Sequence, residues 1–150
     1  MGILQTGNTY DTQKFTQGHA RKVWRETRRQ WPAGGRVTNV SDWVAAGKIP
    51  AGTPCKWSIN ATTGAKEIKC YTDAQVKAAV TKPETGEAPG IDSLGINGHT
   101  DRDTPIASAQ TMATATAICD GDIYEYMLDA DVVAALKANT VNGYDIRFVQ

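Results

Sequence analysis

The sequence predicts a mainly β fold: a small, compact β-sandwich or barrel-like domain with two short helices, preceded by an extended or helical N-terminal arm. Three observations carry this. The 150 residues include Gly 14, Pro 6 and only Phe 2, with many threonines, a usage that favours strands joined by tight turns. Apolar and polar residues alternate in short runs, as over residues 36–40 and 122–127, which is the pattern of half-buried strands. Turn residues punctuate these runs, notably over residues 47–54 and 60–64 and at Asn142-Gly143. A hydrophobic fraction of 41% is enough for one core without staples, and the length suits one domain.

Taken in order, residues 1–35 read as a basic arm and residues 36–150 as the β-rich body. The arm begins polar, then passes through residues 12–30, where good helix formers place Phe15, Val23, Trp24 and Trp31 on a partial apolar face interrupted by Gly18. Pro32 and Gly34-Gly35 end it. Such a helix is marginal alone in water and is expected to order against a partner. In the body, residues 36–40 and 56–59 read as strands. The turn between them holds Pro50 and Pro54, which cannot donate to a ladder, and Gly52, where positive φ is wanted. Residues 67–71 return as a hairpin partner. Thr72 and Gln75 have capping-box spacing and start a short helix that ends before Lys82-Pro83. After an exposed loop over residues 83–90, strands are expected at 91–97, 105–107, 112–119 and 122–127. Asp129 caps a helix over residues 130–138, with Val132, Val133 and Leu136 facing inward, and residues 144–149 form a closing strand.

The net charge of zero conceals a split. Residues 1–36 carry seven basic residues against two acidic ones, leaving +5; the remainder carries nine against fourteen, leaving −5. This points to a basic segment that docks on something acidic. Arg21, Trp24, Arg25, Arg28, Arg29 and Trp31 are the candidate docking residues, since Arg and Trp are favoured interface anchors. Phosphate contact by the arginines with stacking by Trp24 is the nucleic-acid alternative, and a solvated charged helix is the plainest one.

No run approaches the roughly 18 apolar residues of a membrane span, and the polar first ten residues hold no signal-peptide core, so the chain is expected to be made and kept in a cytoplasm until assembly. Cys55, Cys70 and Cys119 form no CxxC and are expected to be buried free thiols. Only His19 and His99 are available as near-neutral acid–base groups. Pairing of His99 with Asp101 or Asp103 is the one enzyme reading, and neither it nor a cysteine hydrolase has a supporting motif. Asp101 with Asp103, and Asp120 with Asp122, are read as solvated turn acids rather than cation ligands. Gly34-Gly35 lacks the Lys-Ser/Thr of a phosphate loop. No catalytic residue, metal or cofactor is expected.

The segment Ile49-Pro50-Ala51-Gly52-Thr53-Pro54-Cys55-Lys56-Trp57 resembles a turn common in head decoration and head-fibre base proteins of tailed phages. Residues 91–97, 101–104, 115–122 and 130–138 follow the same order of strand, acidic loop, strand and Ala-rich helix, so the resemblance covers residues 36–150. Trp43, Cys55 and Trp57 depart from it, standing where a smaller aliphatic is usual. The resemblance implies a non-enzymatic structural virion protein on the capsid exterior, made in the host cytoplasm. Its partners would be the major capsid protein and a head-fibre or other virion protein. It further implies a homo-oligomer, with a trimer favoured, and capsid binding through the arm at Arg21, Trp24, Arg25, Arg28, Arg29 and Trp31. Neither membrane nor nucleic acid is implied as a partner.

Overall fold

A computed structural model describes residues 23–150. Its strands are β1 (Trp24–Gln30), β2 (Gly35–Val37), β3 (Lys48–Ile49), β4 (Pro54–Ile59), β5 (Lys66–Cys70), β6 (Gly98–Thr100), β7 (Thr104–Pro105), β8 (Thr114–Ala115), β9 (Ala117–Tyr124) and β10 (Asp145–Val149). Two α-helices accompany them, α1 (Asp73–Val80) and α2 (Ala130–Lys137). The fold is mainly β, as expected.

One large sheet runs in the order β1-β9-β6-β4-β5-β2-β8, with β10 parallel to β9, while β3 and β7 form a separate ladder. The order has a covalent logic. Strands β1 and β2 are successive arms of one segment, and β8 and β9 are successive arms of another. They pair antiparallel as β1·β9 and β2·β8, and Trp31 N–H donating to Ala117 O at 2.9 Å continues the ladder between them. Both ends of the sheet are thereby continuous with its interior, and the sheet curls into a half-barrel.

The turn linking β1 to β2, two strands that do not pair with each other, places Ala33 (φ 62) and Gly34 (φ 60) successively in left-handed conformation. Gly34 is required there on two grounds, because a Cβ would also meet Ala115 O at 2.4 Å. Trp57 Nε1 donates to Gly34 O, and the Trp57 ring stacks on Trp31 with centroids 4.8 Å apart and planes 4° from parallel.

Three apolar clusters fill the structure. Val37, Val40, Trp43, Ile49, Ile68 and Ile106 pack around Cys55 and Cys70. Tyr71, Val76, Ile91, Ile96, Val132 and Leu136 seat the helices, and Val23, Trp24, Ile118, Ile123 and Ile146 lie around β9. The expected caps are present: Thr72 and Gln75 form a complete capping box on α1, and Asp129 accepts from the Asp131 and Val132 amides on α2. All three cysteines are free and buried.

Several expectations need correction. The helix expected over residues 12–30 is a strand in its described part, β1, so the sheet reaches back to Trp24 rather than starting at residue 36. Tertiary pairing outweighs helix propensity here, because β9 offers both an open ladder edge and carboxylates for the arginines. Residues 91–97 contain a 3-10 turn (Ile91–Leu94) ending in left-handed Gly95, not a strand. Residues 122–127 split between the end of β9 and a 3-10 turn (Glu125–Met127). Of residues 105–107 only Pro105 lies in a strand, the two-residue β7.

Candidate functional site

Strand β1 reads Trp-Arg-Glu-Thr-Arg-Arg-Gln, with Trp24 buried and the other six exposed. Among the described residues it pairs only with β9, which leaves its second edge without a strand. A regular strand would turn Arg25 and Arg28 to opposite faces. The β1·β9 register shifts between Trp24 and Glu26 and again between Thr27 and Arg29, and both arginines reach Asp122.

Asp122 is the centre of the array and is only 4% exposed. It accepts from Arg28 Nη2 at 2.8 Å, Arg147 Nε at 3.2 Å and Arg25 Nη1 at 3.4 Å. Arg28 also gives Nε to Asp120 at 2.9 Å and Nη1 to Glu26 at 2.8 Å, while Arg29 pairs with Asp145 at 3.1 Å. The Arg28 hydrogen bond, helped by the charges of Arg28 and Arg147, holds the Asp122 carboxyl below the usual range against the opposing effect of desolvation. The hydrogen bonds to Asp122 and Asp120 in turn raise the Arg28 guanidinium above its ordinary value. Four arginines therefore face four carboxylates on β1, β9 and β10, and the surface is nearly neutral. Asp120 and Asp122, expected as solvated turn acids, are mid-strand ion-pair partners.

The candidate docking residues separate into distinct environments. Arg25, Arg28 and Arg29 come together here, and Arg25 and Arg29 keep 57% and 56% of their side-chain surface in solvent. Arg147, which the sequence reading missed, joins them from β10 with 69% exposed. Its only sequence signal was a basic residue in the alternating last strand. Trp24 belongs to the core: its Nε1 donates to Thr100 O at 3.0 Å, and its ring closes over Gly121, where a Cβ would meet it at 2.8 Å. Trp31 is half-buried against Trp57 and donates Nε1 to Asn97 O. Arg21 lies outside the described residues, as does most of the 1–35 arm.

His99 is fully buried on β6. Its Nδ1 lies 2.7 Å from Gly52 O, which can only accept, so Nδ1 carries the proton and Nε2 accepts from Tyr144 OH at 2.7 Å. Burial pushes its pKa down to about 4. Both ring nitrogens are occupied, so the pairing with Asp101 or Asp103 is not assembled. Asp103 instead accepts from the Ala51 amide at 2.7 Å and Lys48 at 3.2 Å, and Asp101 pairs with Arg102. Among the described residues no three His, Cys, Asp or Glu side chains converge on a possible metal position.

The Ile49–Pro54 segment owes its shape to β6. Gly52 takes φ 81 and donates to Thr100 O at 2.8 Å, while the Thr53 amide donates to Thr100 Oγ1 at 3.1 Å and Thr100 Oγ1 donates to Pro50 O at 2.8 Å. These bonds, with His99 below, make the turn a rigid corner. A separate open cleft of about 670 Å³ lies beside the β1–β2 turn, with Arg36, Lys66, Arg102 and Asp103 along it. It is assembled from four distant segments, so no local motif announces it. Comparison with protein-family models, curated proteins and solved structures returns no match to this chain.

Proposed function

We propose that this protein is a structural virion protein that docks on the outer surface of a tailed-phage capsid, where it decorates or stabilises the head or anchors a head fibre. The observation that supports it most is the arginine row on β1, an edge strand among the described residues, and on β10 across β9 from it. Arg25, Arg29 and Arg147 are positioned by the chain's own carboxylates yet present more than half of their side chains to solvent. Each uses one of its five N–H donors in the ion pairs described above, so further donors remain for a partner's carboxylates. Positioning before contact lowers the side-chain entropy lost on docking. Many copies on one shell make modest affinity at each site sufficient. The partner is the major capsid protein, and assembly as a homo-oligomer, a trimer in the favoured form, would multiply the contact. The clamped Ile49–Pro54 corner, which carries the resemblance to decoration proteins, serves the body's rigidity in this reading.

The nucleic-acid alternative has less support, because a nearly neutral array offers phosphates little net attraction. The test is co-sedimentation with expanded capsids of the encoding phage. The triple variant Arg25→Gln, Arg29→Gln, Arg147→Gln, checked for native fold by circular dichroism, is expected to lose binding. Binding at the wild-type level would remove the docking surface. A gel shift at low salt that collapses as salt rises would transfer the arginines to nucleic acid.

A further inference from the structure

We propose that Cys55 and Cys70 are a cross-strand disulfide site, a covalent latch across β4 and β5 that closes on oxidation and excludes Cys119. The argument begins from register. Cys55 lies directly opposite Cys70 in the antiparallel β4·β5 ladder. Tyr71 N–H donates to Pro54 O at 2.9 Å and Asn60 N–H to Ala65 O at 2.8 Å. These two bonds fix the alternation, and the Cys55–Cys70 pair falls on a non-hydrogen-bonded rung. Neighbouring contacts agree. The Cys70 amide donates to Asn39 Oδ1 at 3.1 Å, and its carbonyl accepts from Asn39 Nδ2 and Trp43 Nε1. Cys55 O accepts from the Asn97 amide on its other side at 3.1 Å.

On such a rung, facing side chains leave the same face of the sheet and the Cα atoms lie about 4.5 Å apart, inside the range a disulfide spans. Both side chains are fully buried in one apolar cluster. Cys119 sits on β9, and β6 intervenes between β9 and β4. Its thiol faces Arg29 O at 3.5 Å. Two strand spacings put it about 10 Å from β4, beyond disulfide reach. The odd cysteine is thus set apart by topology.

The chemistry is thiol–disulfide exchange with a small-molecule disulfide such as oxidised glutathione. One cysteine thiolate attacks that disulfide, forms a mixed disulfide and releases one small thiol. The second thiolate then attacks the protein sulfur of the mixed disulfide and expels the second small thiol. One disulfide is reduced to two thiols as the two protein thiols are oxidised, so the exchange balances. Burial raises both thiols, Cys70 to about 12, so exchange waits for the strands to part or happens as the chain folds. Once closed, the latch encloses a short loop and lowers the unfolded population roughly a hundredfold.

The experiment refolds the reduced full chain from urea with a glutathione redox couple, and digests the product with trypsin without reduction. Cys55 and Cys70 fall in separate peptides, residues 49–56 and 70–77, and Cys119 in a third. The expected result is one linked pair of the first two peptides, native circular dichroism, and a urea midpoint that drops on reduction. Cys119→Ser should leave the link intact, which keeps the test valid even if Cys55→Ser or Cys70→Ser fails to fold. Links involving Cys119, glutathione adducts in place of the link, or a link found only in non-native material would each overturn the proposal.

Discussion

Acid should destabilise this protein through a buried imidazole, and the effect can be sized from its surroundings. His99 is enclosed by Trp24, Tyr144 and Phe148, with both nitrogens engaged and its pKa lowered to about 4 by burial. In the unfolded chain the same ring titrates near 6.5. The unfolded state therefore takes up the proton first, and stability is fully present above pH 6.5 and is lost as pH falls, levelling off near pH 4. At 1.36 kcal/mol per unit, the gap between 6.5 and about 4 is worth about 3 kcal/mol, of which roughly 2–3 kcal/mol is gone by pH 4.5. In urea unfolding followed at pH 7.5, 6.5, 5.5 and 4.5, that loss moves the midpoint down by about 1–2 M for a typical slope. His99→Asn keeps a donor for Gly52 O and removes the titration, so its curve, lower throughout, should be flat between pH 6.5 and 4.5. A His99→Asn variant that loses as much stability as the wild type over this interval would refute the assignment.

Three further outcomes rest on other parts of the fold. Asp122→Asn leaves Arg25 and Arg147 without their carboxylate, and should lower stability by about 2 kcal/mol in urea unfolding; this is below the 3–5 kcal/mol of a fully buried pair because those arginines are more than half exposed. Its wild-type increment is present above the ordinary carboxylate value and disappears only as pH falls through the depressed value of the folded state, below the His99 window. Gly52→Ala forces a Cβ into φ 81 and to 2.6 Å from Val23 Cγ1, and a loss of about 2–4 kcal/mol is expected by thermal or urea unfolding. Ala33→Gly should have the opposite sign, raising stability by about 0.5–1 kcal/mol, since Ala33 sits at φ 62 in a turn that glycine enters freely.

What the sequence disclosed and what it hid follow one rule. The features carried by a few adjacent residues were legible: the Thr72–Gln75 capping box, the Asp129 cap, the Gly52 turn and the hairpin of β4 with β5. Their causes are local. The features that required knowing a neighbour were not. Residues 24–30 contain good helix formers and no strict alternation, because bulges break the period of two, and only the edge of β9 makes them a strand. Asp120 and Asp122 flank Gly121 and looked like a turn for that reason. Gly121 is there because the Trp24 ring and Glu26 O approach where a side chain would stand. His99 showed its chemistry only once Gly52 and Tyr144, 47 and 45 residues away, had closed on it.

The same rule governs the charge split. A run of arginines in an otherwise acidic chain argues for an acidic partner, but the first acidic surface available to it is the chain's own. Asp120, Asp122 and Asp145 occupy that place, and together with Glu26 they cancel the charge of Arg25, Arg28, Arg29 and Arg147 without covering three of the four arginine side chains. An array of this kind attracts little from a distance, because screening and cancellation act together beyond about 10 Å. At contact it is selective, since a guanidinium held in place offers its remaining donors in fixed directions. If β1 is the docking strand proposed above, association should therefore be slow and weakly dependent on salt, unlike capture by a free basic tail. Stopped-flow association with capsids at two ionic strengths separates the two: an association rate that falls steeply with salt would assign the encounter to charges other than these.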